Sequence, residues 1–530
     1  MGTGNAGQTV QSSTTVPRIL IIGAGSRGNA YARAVHQSGQ GIVAAVAEPI
    51  DYKRQLLGSK YIWPGSEPQP EHEFSDWRDF VKWETQRREH ASAGLEVPEA
   101  IHGVFICVLD EQHVEVVTGL APFKLHILCE KPLATTLRDC LDIYRSMLPT
   151  SSQDMQKAVF GIGHVLRYSP HNMLLRKLVL EDRVIGDVMS IEHTEPVGNW
   201  HFSHSYVRGN WRKESTTAPS LLCKSCHDID FLLWMLCSPP KDSTAPAHIP
   251  SSLSSTGSLK QFRRLRKPAA AGDATNCLKC NTRDTCVYSA PRIYYDKQLA
   301  KGNTDWPVNI VEPEIESCYI TQGAEAAKEM LFNSLGADYD AQKTPRRHIE
   351  ARPWYGRCVW ESDNDVCDDQ FVTITWDDEP ATCPSTGQET SPLHFAKTAS
   401  FHMIAQTEKQ CERRGWIYGS EGEISYDGTT ITVYDFATQG FTRHDPPRRG
   451  GGHGGGDDGL ATQFLKAIDA VLNHGVGVEE AQAEHLGCSL EEVVRSHALV
   501  FAAEEARRDR KVVDWKDWWA QSMKTVTADA

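Results

Sequence analysis

The sequence predicts an α/β fold class: an N-terminal parallel sheet with crossover helices, then a C-terminal α+β domain whose open sheet is mainly antiparallel. Three observations carry this. From Arg18 onward, short and fully apolar runs alternate with amphipathic stretches, which is how a parallel sheet covered on both faces reads. A glycine-rich loop, Gly23-Ala24-Gly25-Ser26-Arg27-Gly28, joins the first such run to the first helical stretch. Beyond residue 158 the apolar runs alternate with polar residues, the texture of half-exposed strands. With 530 residues, 40% of them hydrophobic, the chain can bury a large core. Acidic residues outnumber basic ones by 69 to 55, a net charge of −14, which speaks against a nucleic-acid partner. No apolar run approaches the roughly 18 residues of a membrane span, so no membrane association is expected.

Residues 1–16 are polar and carry no secretory pattern, and they read as a disordered tail ahead of a cytoplasmic protein. A first domain is expected over 17–150, with strands at 18–22, 42–47, 103–108 and 125–129. Helices are expected at 77–90, 111–120 and 138–148. The second domain is expected over 151–510, with strands at 188–195, 371–376 and 431–434 and helices at 223–236, 460–472 and 490–508. Within it, 238–275 is rich in Ser, Pro and Ala and reads as a flexible insertion. A cysteine-rich loop follows at 276–290, and 511–530 reads as a C-terminal tail.

The glycine loop has Gly-x-Gly-x-x-Gly spacing between a strand and a helix. The first glycine permits the turn, the second lets the backbone approach a pyrophosphate, and the third lets helix pack on strand. Phosphate oxygens would meet the helix N-terminus at Ser26, Arg27 and Gly28. Glu48, at the end of the second strand, suits an adenosine ribose diol and repels a 2′-phosphate. This is a Rossmann dinucleotide site that favours NAD over NADP.

Downstream, Cys129-Glu130-Lys131-Pro132 places a lysine at the carboxyl end of a parallel strand, where ligands bind in open α/β sheets. Together with the glycine loop, this motif resembles the Gfo/Idh/MocA oxidoreductases, a likeness that runs in order from 17 to about 236. The resemblance implies hydride transfer between nicotinamide and a secondary alcohol or ketone of a sugar, cyclitol or related polyol. It makes Lys131 the group on the reacting oxygen, sets Glu130 and His113 beside the cofactor, and implies a homo-oligomer formed through the C-terminal sheet. An ammonium ion stabilises a developing alkoxide, so the role suits the residue.

In the stretch 222–230 the family presents an Asp and, four residues on, a His. Here His227 matches the histidine, whereas Cys223 stands in the aspartate's place. A neutral thiol cannot orient an imidazole as a carboxylate does, so Asp228 or Asp230 would have to substitute. His227 is the acid/base candidate, since imidazole titrates nearest neutrality; a core histidine bonded to backbone is the competing explanation. His164, Arg167, Tyr168, Trp200, Arg208, Asp230 and His453 are candidates for lining a polyhydroxylated substrate, although each also suits ordinary packing.

A loop like the one around His453 occurs in the family's NAD-dependent glycosidases, which oxidise transiently, eliminate and re-reduce. That is the alternative activity; a non-catalytic cofactor-sensing protein is a third. Finally, Cys277, Cys280 and Cys286 form a knuckle suited to a structural zinc, with Cys226, Cys318 or a histidine as fourth ligand. The chain's 15 cysteines are otherwise expected to be reduced thiols.

Overall fold

The computed structural model describes residues 14–148, 158–239, 246–379, 394–447 and 452–528. The expected N-terminal tail lies, through residue 13, outside these, as do Gly450 and Gly451.

The first sheet is parallel throughout and contains β1 (Arg18–Ile22), β2 (Ile42–Ala47), β3 (Glu73–Phe74), β4 (Gly103–Ile106), β5 (His126–Cys129) and β6 (Phe160–Ile162). Its order is β3-β2-β1-β4-β5-β6, a doubly wound sheet whose direction of winding reverses between β1 and β4. The crossovers carry α1 (Ser26–Ser38), α2 (Asp51–Tyr61), α3 (Trp77–Ser92), α4 (His113–Leu120) and α5 (Leu137–Met147). Local chemistry sets the helix starts: Asp76 accepts the Arg78 N–H to cap α3, and Thr136 accepts that of Asp139 to cap α5. β6 lies past the expected boundary at 150, so the first sheet closes only after that boundary.

The second sheet has nine strands: β7 (Val188–Pro196), β8 (Ser252–Ser258), β9 (Asp369–Trp376), β10 (Lys397–Ile404), β11 (Arg414–Gly419), β12 (Gly422–Tyr426), β13 (Ile431–Asp435), β14 (Gly440–His444) and β15 (Val512–Asp514). Their order is β14-β13-β12-β11-β7-β10-β9-β8-β15, antiparallel except for the β7–β10 pair. The helix Ser220–Leu236, buried along its whole length, packs with Leu490–Asp509 against one face. On the other face Phe371, Trp416 and Phe441 stay exposed.

Three expectations need correction. The stretch 238–275, of which 240–245 lie outside the described residues, is not simply a flexible insertion, because β8 lies inside it, paired with β9 along its whole length and burying Leu253. Its serines and threonines hide the strand, since apolar partners on β9 supply the packing. Of the expected tail 511–530, the described part through 528 is not loose either: β15 pairs with β8, and Trp515, buried, stacks on Trp518 and Trp519. Finally, the helix Gly456–His474 serves the first sheet rather than the second. Its Phe464, Leu465 and Ile468 join Ile19, Ile21 and Phe105 in one core. Gly103 on β4 permits this approach, since a Cβ there would lie 2.8 Å from the Ile468 side chain.

Between β8 and β9 the chain builds an arm with its own small core, including the helices Ile315–Gln322 and Ala324–Gly336. Ser317 of this arm reaches the Tyr52 side chain on α2, just past Glu48.

Candidate active site

The glycine loop has the shape its spacing implies. Gly23 adopts φ 92°, and a Cβ there would lie 2.5 Å from the Cys107 carbonyl oxygen. A Cβ on Gly28 would sit 2.0 Å from the Gly23 carbonyl, whereas one on Gly25 meets nothing within 4 Å. Two glycines therefore close the turn, and the middle one faces open space where a phosphate can approach. Helix α1 begins with no side-chain cap and no acidic residue in its first turn, so its amide donors are unshielded. Glu48 is buried at the end of β2; its carboxylate accepts the N–H of Ala24 at 2.8 Å and that of Ile50 at 3.0 Å. The residues present fit the pyrophosphate of a dinucleotide.

Arg27 does not face the phosphate position. Its guanidinium donates to Glu130 Oε1 at 2.7 Å and to Asp457 Oδ2 at 2.9 Å, with Tyr31 Oη also at 2.9 Å. Burial alone would raise the Glu130 carboxyl, but Arg27 and Tyr31 outweigh it and hold it below the usual range. Glu130 thus anchors Arg27 and, through its other oxygen, accepts the Lys131 N–H. Asp457 in turn meets His453 Nδ1 at 3.0 Å, and the His453 ring lies edge to face with His227, centroids 5.9 Å apart.

Lys131 lies at the mouth of β5, before a cis proline bond, and its Nζ donates to the Cys223 carbonyl at 2.6 Å. It thus faces the first turns of the Ser220–Leu236 helix, with His227 one turn beyond Cys223. His113, fully buried at the start of α4, uses Nδ1 on the Pro132 carbonyl at 2.8 Å, and its Nε2 has no partner. Asp110 completes this wall by accepting the Trp211 indole N–H at 2.9 Å; burial raises its carboxyl, against the pull of His113 and Lys131. Cys223 turns away, its thiol donating to the Ala218 carbonyl, and burial keeps it protonated.

His227 Nε2 lies 2.6 Å from an Arg413 terminal nitrogen and 3.2 Å from Asp228 Oδ2. Guanidinium nitrogens only donate, so the shorter contact makes Nε2 an acceptor and leaves the proton on Nδ1. Burial holds His227 well below its ordinary value, with the pull of Asp228 countered by Arg413. Behind it, Arg413 Nε pairs with Asp228 at 2.9 Å and Glu195 at 2.7 Å, and Glu195 pairs with Lys224 Nζ at 3.1 Å. Two buried cations and two buried carboxylates thus neutralise one another around the imidazole.

The remaining candidates divide. His453 and Asp228 reach the His227 cluster. Asp230 does not: Arg167 holds it bidentately at 2.7 and 2.8 Å and His164 Nδ1 lies 3.0 Å away, all buried. His164, Arg167 and Asp230 are one structural knot, and Tyr168 is tied to the Leu486 carbonyl. Trp200 packs on Trp306 in the arm, and Arg208 is buried against the cysteine loop, bonded to the carbonyls of Arg357 and Tyr288. Arg413, Lys224, Glu195 and Asp110 escaped the sequence reading. Arg413 is 186 residues from His227 and lies on the turn between β10 and β11, so no local spacing signals it.

Residues 17–148 match the family model described as "Oxidoreductase family, NAD-binding Rossmann fold", GFO_IDH_MocA. This segment belongs to the Gfo/Idh/MocA oxidoreductases. Among curated relatives, a 2,7-anhydro-N-acetylneuraminate hydratase of Escherichia coli (strain K12) is 27% identical over 141 residues, 27% of this chain and 35% of that protein. An inositol 2-dehydrogenase of Salmonella typhimurium (strain LT2) is 22% identical over 217 residues, 41% of this chain and 53% of that one. The chain therefore spans between about a third and a half of the length of these relatives. A solved levoglucosan dehydrogenase, in complex with NADH and levoglucosan, superposes with a TM-score of 0.56 at 16% identity, covering 94% of this chain and 99% of the other. That likeness shows a shared overall fold that includes the second sheet.

Proposed function

We propose that this protein is an NAD-dependent oxidoreductase acting on a secondary alcohol or the matching ketone of a sugar, cyclitol or related polyol. The observation that carries this is Lys131 Nζ, held at 2.6 Å from the Cys223 carbonyl at the mouth of β5, beside Asp110, His113 and His227. When bound, the nicotinamide supplies or takes up the hydride. The chain's own residues handle the oxygen. Lys131 polarises it and exchanges its proton, helped by a buried wall where charge interactions are strong. His227, neutral and protonated at Nδ1, donates a hydrogen bond to the same oxygen, so it enters as a donor rather than as the proton acceptor its residue type suggests. Glu48 orients the adenosine ribose and disfavours a 2′-phosphate, which makes NAD the preferred cofactor. The aromatic side chains Phe371, Trp416 and Phe441 exposed on the outer face of the second sheet suit a homo-oligomer.

The test is turnover at the nicotinamide absorbance with a panel of cyclic polyols. Lys131→Ala should lose about 10²- to 10⁴-fold in kcat with NAD binding intact. Unchanged turnover would remove Lys131 from the reaction.

A second reading, transient oxidation followed by elimination, is favoured by the ring contact between His453 and His227 and by the hydratase relative. Cleavage of a glycoside or anhydro-sugar without net NADH formation would select it.

A further inference from the structure

We propose that Cys277, Cys280, Cys286 and Cys358 are the four thiolate ligands of a single zinc ion. The knuckle residues come from the loop after β8, whereas Cys358 lies more than 70 positions on, invisible to any local motif. The backbone brings them together. Cys277 N–H donates to the Gly356 carbonyl and Cys358 N–H to the Thr275 carbonyl, each at 2.8 Å, around the antiparallel bridge between Asn276 and Arg357. In such a pair Asn276 and Arg357 point to one face, and Cys277 and Cys358 point diagonally to the other. All four cysteines line one cavity of about 10 Å³. That is room for one water-sized body, which suits a lone ion and not a polynuclear cluster.

A second observation comes from Arg208, which lines the same cavity and is 1% exposed. It donates to Cys277 Sγ at 3.4 Å, and its other terminal nitrogen is buried with no partner. A guanidinium aimed at neutral thiols is poorly compensated. Against four thiolates around a divalent cation, a centre of net charge −2, it gains both a counter-charge and acceptors. Binding would release the thiol protons to solvent as the Zn–S bonds form.

The expected alternatives for fourth ligand do not reach the cavity. Cys226 sits instead with His164 and His497, the one described group whose three candidate ligand atoms lie within 4.8 Å of one another. His497 there already uses both nitrogens, on Leu133 N–H and the Val493 carbonyl. No three of these four sulfurs lie within 4.8 Å of one another, so the cysteines must draw together on binding to reach the about 3.8 Å edge of a zinc–thiolate tetrahedron.

The test is metal analysis of the full-length protein purified under reducing conditions without chelator. Stoichiometric zinc is expected, with Cys358→Ser and Cys286→Ser each losing most of it and Cys318→Ser keeping it. Titration of the metal-free wild type with cobalt, which needs no variant, should give intense thiolate-to-cobalt absorption. Sub-stoichiometric zinc after incubation with the ion, absence of that absorption, or full loading in Cys358→Ser would each overturn the assignment.

Discussion

Arg413 donates to His227 Nε2 at 2.6 Å, so a residue between two strands of the second sheet fixes which nitrogen of the imidazole carries the proton. The arrangement has a kinetic signature. In the wild type, burial keeps His227 neutral across the neutral range, so kcat/KM should show no ionisation near 6.5. Arg413→Leu removes a cation that lowers the imidazole and leaves Asp228, which raises it, so an acid limb should move up toward neutrality. Because one partner of a buried pair is lost, the variant should also be about 3–5 kcal/mol less stable. An unchanged pH profile in a folded variant would disconnect Arg413 from His227.

The two glycines that flank the phosphate position should respond in opposite ways. Gly25→Ala adds a methyl group that meets nothing within 4 Å, so its melting temperature should match the wild type. NAD affinity should nevertheless fall by roughly tenfold, about 1.4 kcal/mol, because the methyl occupies the path of the pyrophosphate. Gly28→Ala sets a methyl 2.0 Å from the Gly23 carbonyl and should cost about 1–3 kcal/mol in denaturant melts. Fluorescence titration and urea unfolding separate the two effects. Equal NAD affinity in Gly25→Ala and wild type would place the phosphates elsewhere.

Asp230 lies close to His227 in sequence but belongs to a different structure. Asp230→Asn should weaken folding by about 3 kcal/mol, since the Arg167 charge loses its buried counter-ion. KM for the substrate should stay as it was. A large KM change with unaltered stability would show that Asp230 touches substrate after all.

Acid should unfold the protein through its buried histidines. Burial lowers His126 to about 4 and His204 and His497 to about 3. Each is depressed below its unfolded value near 6.5, so below pH 6.5 the unfolded chain binds more protons than the folded one. The stabilisation is fully present above 6.5 and is lost as pH falls through 4 to 3, at on the order of 1.4 kcal/mol per pH unit per histidine. Urea midpoints measured from pH 7 down to 5 should fall steadily. A flat profile would mean that these rings are not buried neutral.

The sequence showed best what local rules determine. β1, β2, β5, the glycine loop and the Lys131 motif are each specified within about ten residues by apolar runs, turn glycines and a proline. The helix Ser220–Leu236 announced itself by its apolar length. Sequence failed where packing partners are remote. β8 is a strand because β9 and β15 flank it, and its own serines say otherwise. Asp230 shares a helical face with His227 by periodicity, yet Arg167, from the segment after β6, claims it. Arg413 and Glu195 are ordinary charged residues until the second sheet closes and leaves them needing each other as counter-ions.

The core shared by Ile19, Ile21, Phe105, Phe464, Leu465 and Ile468 also decides how the chain can be divided. A fragment stopped near 150 would contain every motif that announces a nucleotide fold, yet it would lack β6 and would expose an uncovered sheet face to water. Such a fragment should aggregate on expression, and adding the helix Gly456–His474 in trans should improve its solubility. The part of the chain that reads most clearly as a domain thus shares its core with a helix more than three hundred residues away.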